Sequence, residues 1–322
     1  MSLFGGPRFF IANQESVGLP RAVQVTWTRS QMRKLWERFI EAILFLCAFC
    51  SVLATIGIVG ILLTEAIPFF KEVPLHRVLT DTQWTPLFAD AHYGILPLLS
   101  GTLVTTLVAL SVAIPVGIIT SIFLSEYANA RIREVIKPIL ELLSAVPTVV
   151  YGYFALLFVT PFLKQFMPEL SSFNMLGAGI VMGIMIIPYV CSLSEDAMRS
   201  VPMYMREGSY AMGATKFHTA IHVVVPSAFS GITAALILAI SRAVGETMVV
   251  AIAAGMQPNF TFDPTEPAQT VTAYIVQVSL GDLPHGTIGY QTIFVAGLAL
   301  MLLTLTFNIA GHFLRKRFRE VY

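Results

Sequence analysis

Six nearly uncharged stretches, each long enough to cross a bilayer, constrain this 322-residue chain more than any other feature. They run from Ile40 to Leu63, Gly94 to about Phe123, Leu142 to Leu163, Leu176 to about Leu193, Pro226 to Ala254, and Thr292 to about Phe313. A hydrocarbon core about 30 Å thick takes roughly 20 helical residues at about 1.5 Å of rise each. Composition agrees: 56% of residues are hydrophobic, 12% are charged, and mean hydropathy is +0.74. A soluble domain carries roughly twice that share of charge, so a soluble enzyme is excluded. Pro97, Pro115, Pro147 and Pro188 fall inside these runs, and a helical bundle tolerates them where neighbouring helices satisfy the freed backbone groups.

Net charge is +1 and says nothing about partners, but the placement of charge sets topology. Sixteen of the 20 Lys and Arg lie before the first span, between the second and third, between the fourth and fifth, and after the sixth. The opposite face has only Lys71, Arg77 and Lys164, against eight acidic residues, a balance of −5. Cytoplasmic loops collect the basic residues, so both termini are predicted cytoplasmic. Residues 1–39 read as a cytoplasmic N-terminal segment, 40–314 as the membrane domain, and 315–322 as a basic cytoplasmic tail. The outer segments are 64–93, with Trp84 and Tyr93 suited to the interface, and 255–291, which has no Lys or Arg.

Other features of the chain carry no chemistry of their own. Cys47 and Cys50 spell C-x-x-C inside an apolar run without a second ligand pair, so they read as small helix residues, like Cys191. The first apolar run starts too late and runs too long for a cleaved signal peptide. There is no Gly-Lys dipeptide, hence no phosphate-binding loop, and no metal-hydrolase motif. The chain itself is therefore expected to hydrolyse no ATP and to hold no metal or cofactor. Gly177, Gly179 and Gly183 have the spacing that lets helices approach closely.

The connection between the fourth and fifth spans, about 199–226, mixes charge with helix formers. Glu207-Gly208-Ser209-Tyr210-Ala211-Met212-Gly213 is followed by nine residues and then Val223-Val224-Val225-Pro226. The pattern predicts a short helix, a bend at Gly213, and a second short helix ending before Pro226. Such a segment lies along the membrane surface, either as a simple anchor or as a lever that transmits a partner's movement to the next span. His218 and His222 lie four apart on it, but with no third ligand nearby they read as surface or packing residues.

Arg242 and Glu246 lie inside the fifth span, where a charge costs about 2.5 to 3.5 kcal/mol on insertion scales and so marks a candidate site. Four residues apart on a continuous helix, they would share one face and neutralise each other. Two readings stay open: a transport path in which the guanidinium grips an oxyanion through parallel hydrogen bonds, and a structural ion pair that fastens this helix to a neighbour.

The 207–226 segment resembles the E-A-A-x-x-x-G-x9-I-x-L-P loop of ABC-importer permeases, with Gly208 and Ser209 in place of the alanines and valines in place of Ile and Leu. Further segments extend the resemblance over roughly 94–313: L-S-E-Y-A at Leu124–Ala128, K-P-I-L-E-L-L-S-A-V-P-T-V-V-Y-G-Y-F at Lys137–Phe154, G-I-M-I-I-P-Y-V-C-S-L-S-E-D-A-M-R-S-V-P at Gly183–Pro202, and R-A-V-G-E-T-M-V-V-A-I-A-A-G at Arg242–Gly255. Together they resemble the PstC-type permease subunit of the bacterial phosphate-specific ABC importer. The resemblance implies an all-α membrane protein, a six-transmembrane-helix type I permease bundle with a cytoplasmic coupling helix, in the bacterial cytoplasmic (inner) membrane. It implies phosphate as substrate and Arg242, Glu246 and Thr247 on the translocation path. It further implies that Glu207, Gly208, Ser209, Ala211, Gly213 and Pro226 couple to the ATPase. The implied partners are a PstA-like sister permease, two PstB-like ATPase subunits that carry ATP and Mg²⁺, and a PstS-like extracytoplasmic phosphate-binding protein; nucleic acid is not among them. The alternatives are a permease for another oxyanion, sulfate or molybdate, and a secondary phosphate transporter. Glu195 and Asp196 read as helix-capping or loop hydrogen-bonding residues, and Glu141 as a residue at the start of the third span that snorkels to the interface.

Overall fold

The computed structural model describes residues 21–317 other than 87, 89, 283 and 285. Residues 1–20 and 318–322, parts of the expected N-terminal segment and tail, lie outside the described residues. The chain divides into two compact units, residues 1–60 and 61–322. Helix α1 (Arg21–Glu72) supplies every described residue of the first unit and continues into the second. Leu44, Phe45 and Phe49 are exposed along it, as befits a surface solvated by lipid. The expected first span, 40–63, is thus the middle of a longer helix that has neither glycine nor proline before Gly57 to stop it.

The remaining elements belong to the second unit. They are α2 (Leu75–Thr80), α3 (Leu96–Ile122) with a π-helical turn at Phe123–Tyr127, α4 (Ala130–Ala145), α5 (Thr148–Phe154), α6 (Thr160–Lys164) and α7 (Met175–Arg199). After these come α8 (Met203–Ala211), α9 (Lys216–Thr219), α10 (Val225–Ser227), α11 (Phe229–Val244), α12 (Met248–Ala253), α13 (Val271–Gln277) and α14 (Ile288–Arg317). Among the described residues, four helices are long and apolar enough to cross a membrane, and the number reaches six when two bent pairs each count as one span.

The expected third span, 142–163, falls mostly in the second arm of one bent pair, whose first arm, α4, begins well before it at Ala130. Pro147 forces Val146 into an extended conformation (φ −65°, ψ 131°), and the chain turns by 87° between α4 and the α5–α6 segment. The other joins α9–α10 to α11 across a 71° bend at Ala228. The second coupling-segment helix therefore runs through Pro226 to Ser227 instead of ending before it, after a π-helical turn at Ala220–Val224. The fourth span, the weakest in the sequence, becomes α7, the central helix of the bundle, with Val181, Met182, Ile186 and Val190 fully buried.

Helices α3 and α7 run parallel and nearly touch. A Cβ on Gly183 would sit 2.7 Å from the Ala109 carbonyl oxygen, and one on Gly179 would sit 3.1 Å from that of Thr105. This is the close approach expected of the glycine spacing. A core of small residues joins them to α11 and α12 through Ala239, Ala243, Val249 and Ala253. At one end, Phe69, Trp84, Leu98, Tyr274 and Val295 form a second core. Much of the expected outer segment 255–291 is packed into it: α13 buries Val271, Thr272, Ala273 and Tyr274, and its Thr270 caps Ala273. At the other end, Met198, Val201, Val224, Ala228 and Ile232 form a third.

Candidate functional site

Gly245 ends α11, and α12 starts at Met248, so the fifth span is broken where its charges lie. Glu246 is 8% exposed and turns its carboxylate to the start of α12, where Oε1 accepts a 3.4 Å hydrogen bond from the Val249 amide. Its carbonyl accepts 2.6 Å from the Thr272 hydroxyl of α13. The Thr247 hydroxyl donates to the Gly245 carbonyl at 3.2 Å.

Arg242, in the last turn of α11 where a cation suits the helix dipole, places its Cζ 4.3 Å from the centroid of the Tyr189 ring on α7. Its Nε is buried with no hydrogen-bond partner among the described residues. No Arg242–Glu246 ion pair forms among them, which corrects the shared-face expectation: the continuous helix that would align the two residues ends at Val244. The break sends the carboxylate to cap α12 and the guanidinium onto an aromatic shelf. What results is a half-buried cation with unused donor capacity, suited chemically to an oxyanion.

The surface segment is built around α8. Glu207 and Gly208 are exposed, as are Tyr204, Ala211 and Met212. The Ser209 hydroxyl lies 2.9 Å from that of Thr219 and closes α8 on α9. Between them Gly213 has φ +84°, a conformation that glycine adopts without strain, and Thr215 caps α9 by accepting from the His218 amide at 3.3 Å. A groove of about 700 Å³ lined by Met205, Gly208, Met212, Gly213 and His218 opens beside the turn. The His218 and His222 rings stack at 4.1 Å, consistent with packing residues.

The bundle also assembles a charge cluster. Lys137 of α4 donates to Glu195 at 2.8 Å and to Asp196 at 2.7 Å, both on α7, and Arg199 lies 3.6 Å from Glu195. Glu195 is 1% exposed. The two acids thus act as tertiary ion-pair partners instead of capping groups, and Lys137 belongs to a packed helix instead of a loop. Glu141 lines a cavity of about 250 Å³ alongside Lys137, Tyr189 and Glu195.

Residues 113–320 match the family described as the binding-protein-dependent transport system inner membrane component. The chain belongs to that family. Such a permease is a multi-pass inner-membrane subunit and not an enzyme; it works with a second permease, with ATPase subunits that hydrolyse ATP, and with a binding protein. This permease is 33% identical over 289 residues to the probable ABC transporter permease protein YqgH of Bacillus subtilis, covering 89% of this chain and 93% of that one. It is 27% identical to the probable phosphate transport system permease protein PstC of Methanocaldococcus jannaschii, covering 82% and 88%, and 30% identical to the PstC of Haemophilus influenzae, covering 74% and 80%. Among solved structures, it is similar to a chain of a bacterial ABC transporter that imports alginate, with a TM-score of 0.55, 15% identity and coverage of 81% and 95%. A chain of the MetNI methionine ABC transporter gives 0.53, 19%, 70% and 95%. The fold is that of a type I importer permease.

Tyr189 carried no sequence signal, because one tyrosine in an apolar run is unremarkable until Arg242 is placed over it. The π-helical turn at Phe123–Tyr127 contains Glu126 of the segment L-S-E-Y-A, a glutamate whose partner, Arg206, only the fold brings to it.

Proposed function

We propose that this permease forms the phosphate path of an ATP-driven importer together with a PstA-like sister subunit. PstB-like subunits that bind ATP and Mg²⁺ would drive the complex, and a PstS-like protein would supply phosphate. The observation that carries the site is Arg242: a guanidinium seated on Tyr189 at a helix break, with Nε unsatisfied. A phosphate oxygen would complete that donor, and a second oxygen would accept from the same planar fork. Phosphate as substrate is supported by the names of the PstC relatives. With residues 315–322 and the basic connections on the cytoplasmic side, both termini are cytoplasmic and the face at −5 is extracytoplasmic. A separate binder then removes any need for this chain to attract the anion by its own field.

In this reading Glu246 holds the break open by capping α12, and Thr247 sits beside the arginine at the break. Glu207, Gly208 and Ala211 present the exposed face of α8 to the ATPase, Ser209 and Gly213 set the turn that shapes it, and Pro226 lies on the segment leading back into the membrane. The test is ATP-driven uptake of radiolabelled phosphate by the complete complex in liposomes, wild type against Arg242→Gln, with excess sulfate as competitor. Uptake that resists sulfate and collapses in the variant is expected. Unchanged uptake in Arg242→Gln would overturn the arginine path, and inhibition by sulfate would favour a general oxyanion importer.

A further inference from the structure

Arg206 stands next to Glu207 on α8 but faces the other way: Glu207 is exposed, whereas Arg206 is buried at 8%. Its guanidinium makes a forked contact with Glu126, Nη2 to Oε1 at 3.0 Å and Nε to Oε2 at 3.3 Å. The remaining donors cap the end of α7, with Nη2 reaching the Met198 carbonyl at 2.8 Å and Nη1 the Val201 carbonyl at 2.6 Å. Glu126 lies in the π-helical turn that ends α3, and its own side chain is 5% exposed. A single side chain therefore ties α8 to the ends of both α3 and α7.

Two further contacts reinforce the tie. The Lys216 ammonium at the start of α9 lies 5.1 Å from the centroid of the Tyr127 ring, in the same π-helical turn. Beneath both, Met205 of α8 packs against the small core of Met198, Val201 and Val224. The covalent route from α8 to the next span is softer, since it passes the turn at Gly213 and the 71° bend at Ala228. The route through Arg206 enters α7 at Met198, nine residues from Tyr189, or about 13 Å along a helix. Tyr189 is the shelf under Arg242.

We propose that Glu126 is a positioning residue for energy coupling: through Arg206 it makes the coupling helix rigid with α3 and α7, so that movement of α8 reaches Arg242 through Tyr189 instead of along the chain into α11. A planar fork held by a carboxylate and two helix-end carbonyls fixes orientation as well as distance, which a lysine ammonium at the same position would not do. The inference rests on the reading of α8 as the ATPase contact.

The test uses the whole importer in proteoliposomes and measures ATPase co-purification, ATP hydrolysis and phosphate uptake for wild type, Glu126→Gln, Arg206→Lys and Glu207→Arg. Glu126→Gln and Arg206→Lys are expected to retain the ATPase and hydrolyse ATP, with phosphate taken up per ATP falling about tenfold or more, the scale of losing one buried charged hydrogen bond. Glu207→Arg, on the exposed face, is expected to lose the ATPase. Wild-type uptake per ATP in Glu126→Gln, with Glu207→Arg impaired, would overturn the inference alone. Loss of ATPase association in Glu126→Gln would also overturn it, since the pair would then shape the docking face instead of transmitting its motion. An ATPase retained and fully coupled in Glu207→Arg would overturn the docking reading beneath it.

Discussion

The Arg242 guanidinium lies over the Tyr189 ring with its Cζ 4.3 Å from the ring centroid, so α11 and α7 meet at a cation resting on an aromatic face. A half-buried contact of this kind contributes about 1.5 to 2 kcal/mol. Replacing Tyr189 with Ala should lower phosphate uptake roughly tenfold to thirtyfold, and Tyr189→Phe should keep most of it because the ring face remains. Initial uptake rates in proteoliposomes distinguish the two, and equal loss in both variants would point to the hydroxyl instead of the shelf.

Removing Lys137 strands Glu195, which is 1% exposed and has only Arg199, at 3.6 Å, left to compensate it. Lys137→Ala should destabilise the permease by about 3 to 5 kcal/mol, the usual result of breaking one side of a buried pair. Asp196, 60% exposed, should matter far less, and Asp196→Asn should cost under about 1 kcal/mol. Thermal unfolding of the detergent-solubilised complex reads both. The double variant Lys137→Ala with Glu195→Gln should recover part of the loss.

Two glycines predict opposite outcomes. At Gly183 a Cβ would meet the Ala109 carbonyl oxygen at 2.7 Å and the Val112 Cβ at 2.8 Å, so Gly183→Ala must push α3 and α7 apart, at a cost of about 1 to 3 kcal/mol. At Gly208 nothing lies within 4 Å, and Gly208→Ala should stabilise α8 by about 0.5 to 1 kcal/mol without touching the fold. The same melting experiment separates them.

The loop between α2 and α3 holds a pH-sensitive clasp. His92 Nδ1 lies 2.9 Å from Asp81 Oδ2 where the chain folds back on itself, with the Gly94 amide donating to Gln83 and the Thr85 amide to His92. The hydrogen bond to Asp81 raises the imidazole above its ordinary 6.5. Partial burial pushes the Asp81 carboxyl up, but the His92 ring and the Gln83 amide outweigh it and hold the group below its ordinary 3.8. The histidine's contribution is complete below 6.5 and is lost as pH rises through its raised value; the aspartate's is complete above 3.8 and is lost as pH falls through its lowered value. The clasp is therefore tightest between those limits. Amide-exchange protection at Thr85 and Gly94, corrected for intrinsic rates, should be greater near pH 5.5 than near pH 8, and His92→Gln should flatten the difference.

Much of this architecture was legible from residues read one segment at a time. Apolar run length marked the membrane-crossing segments, because lipid excludes charge and unpaired backbone wherever the segment sits in the fold. The spacing from Glu207 through Gly213 to Pro226 marked the surface segment, and the glycines of α7 marked its close contact with α3. The sequence also located Arg242 and Glu246 as costly charges in an apolar run.

The relationships between segments came only with the tertiary structure. Arg206 and Glu126 are 80 residues apart, Lys137 and Glu195 are 58 apart, and neither pair has a periodicity that announces it. Whether Glu246 answers Arg242 or caps α12 turned on a helix break at Gly245, stabilised in part by the Thr272 hydroxyl from α13, a helix whose place in the core no hydropathy run foretold. Hydrophobicity is a property of each residue and survives in the bare sequence. A hydrogen-bond partner is a property of position in space, and packing alone brings distant side chains within 3 Å of each other.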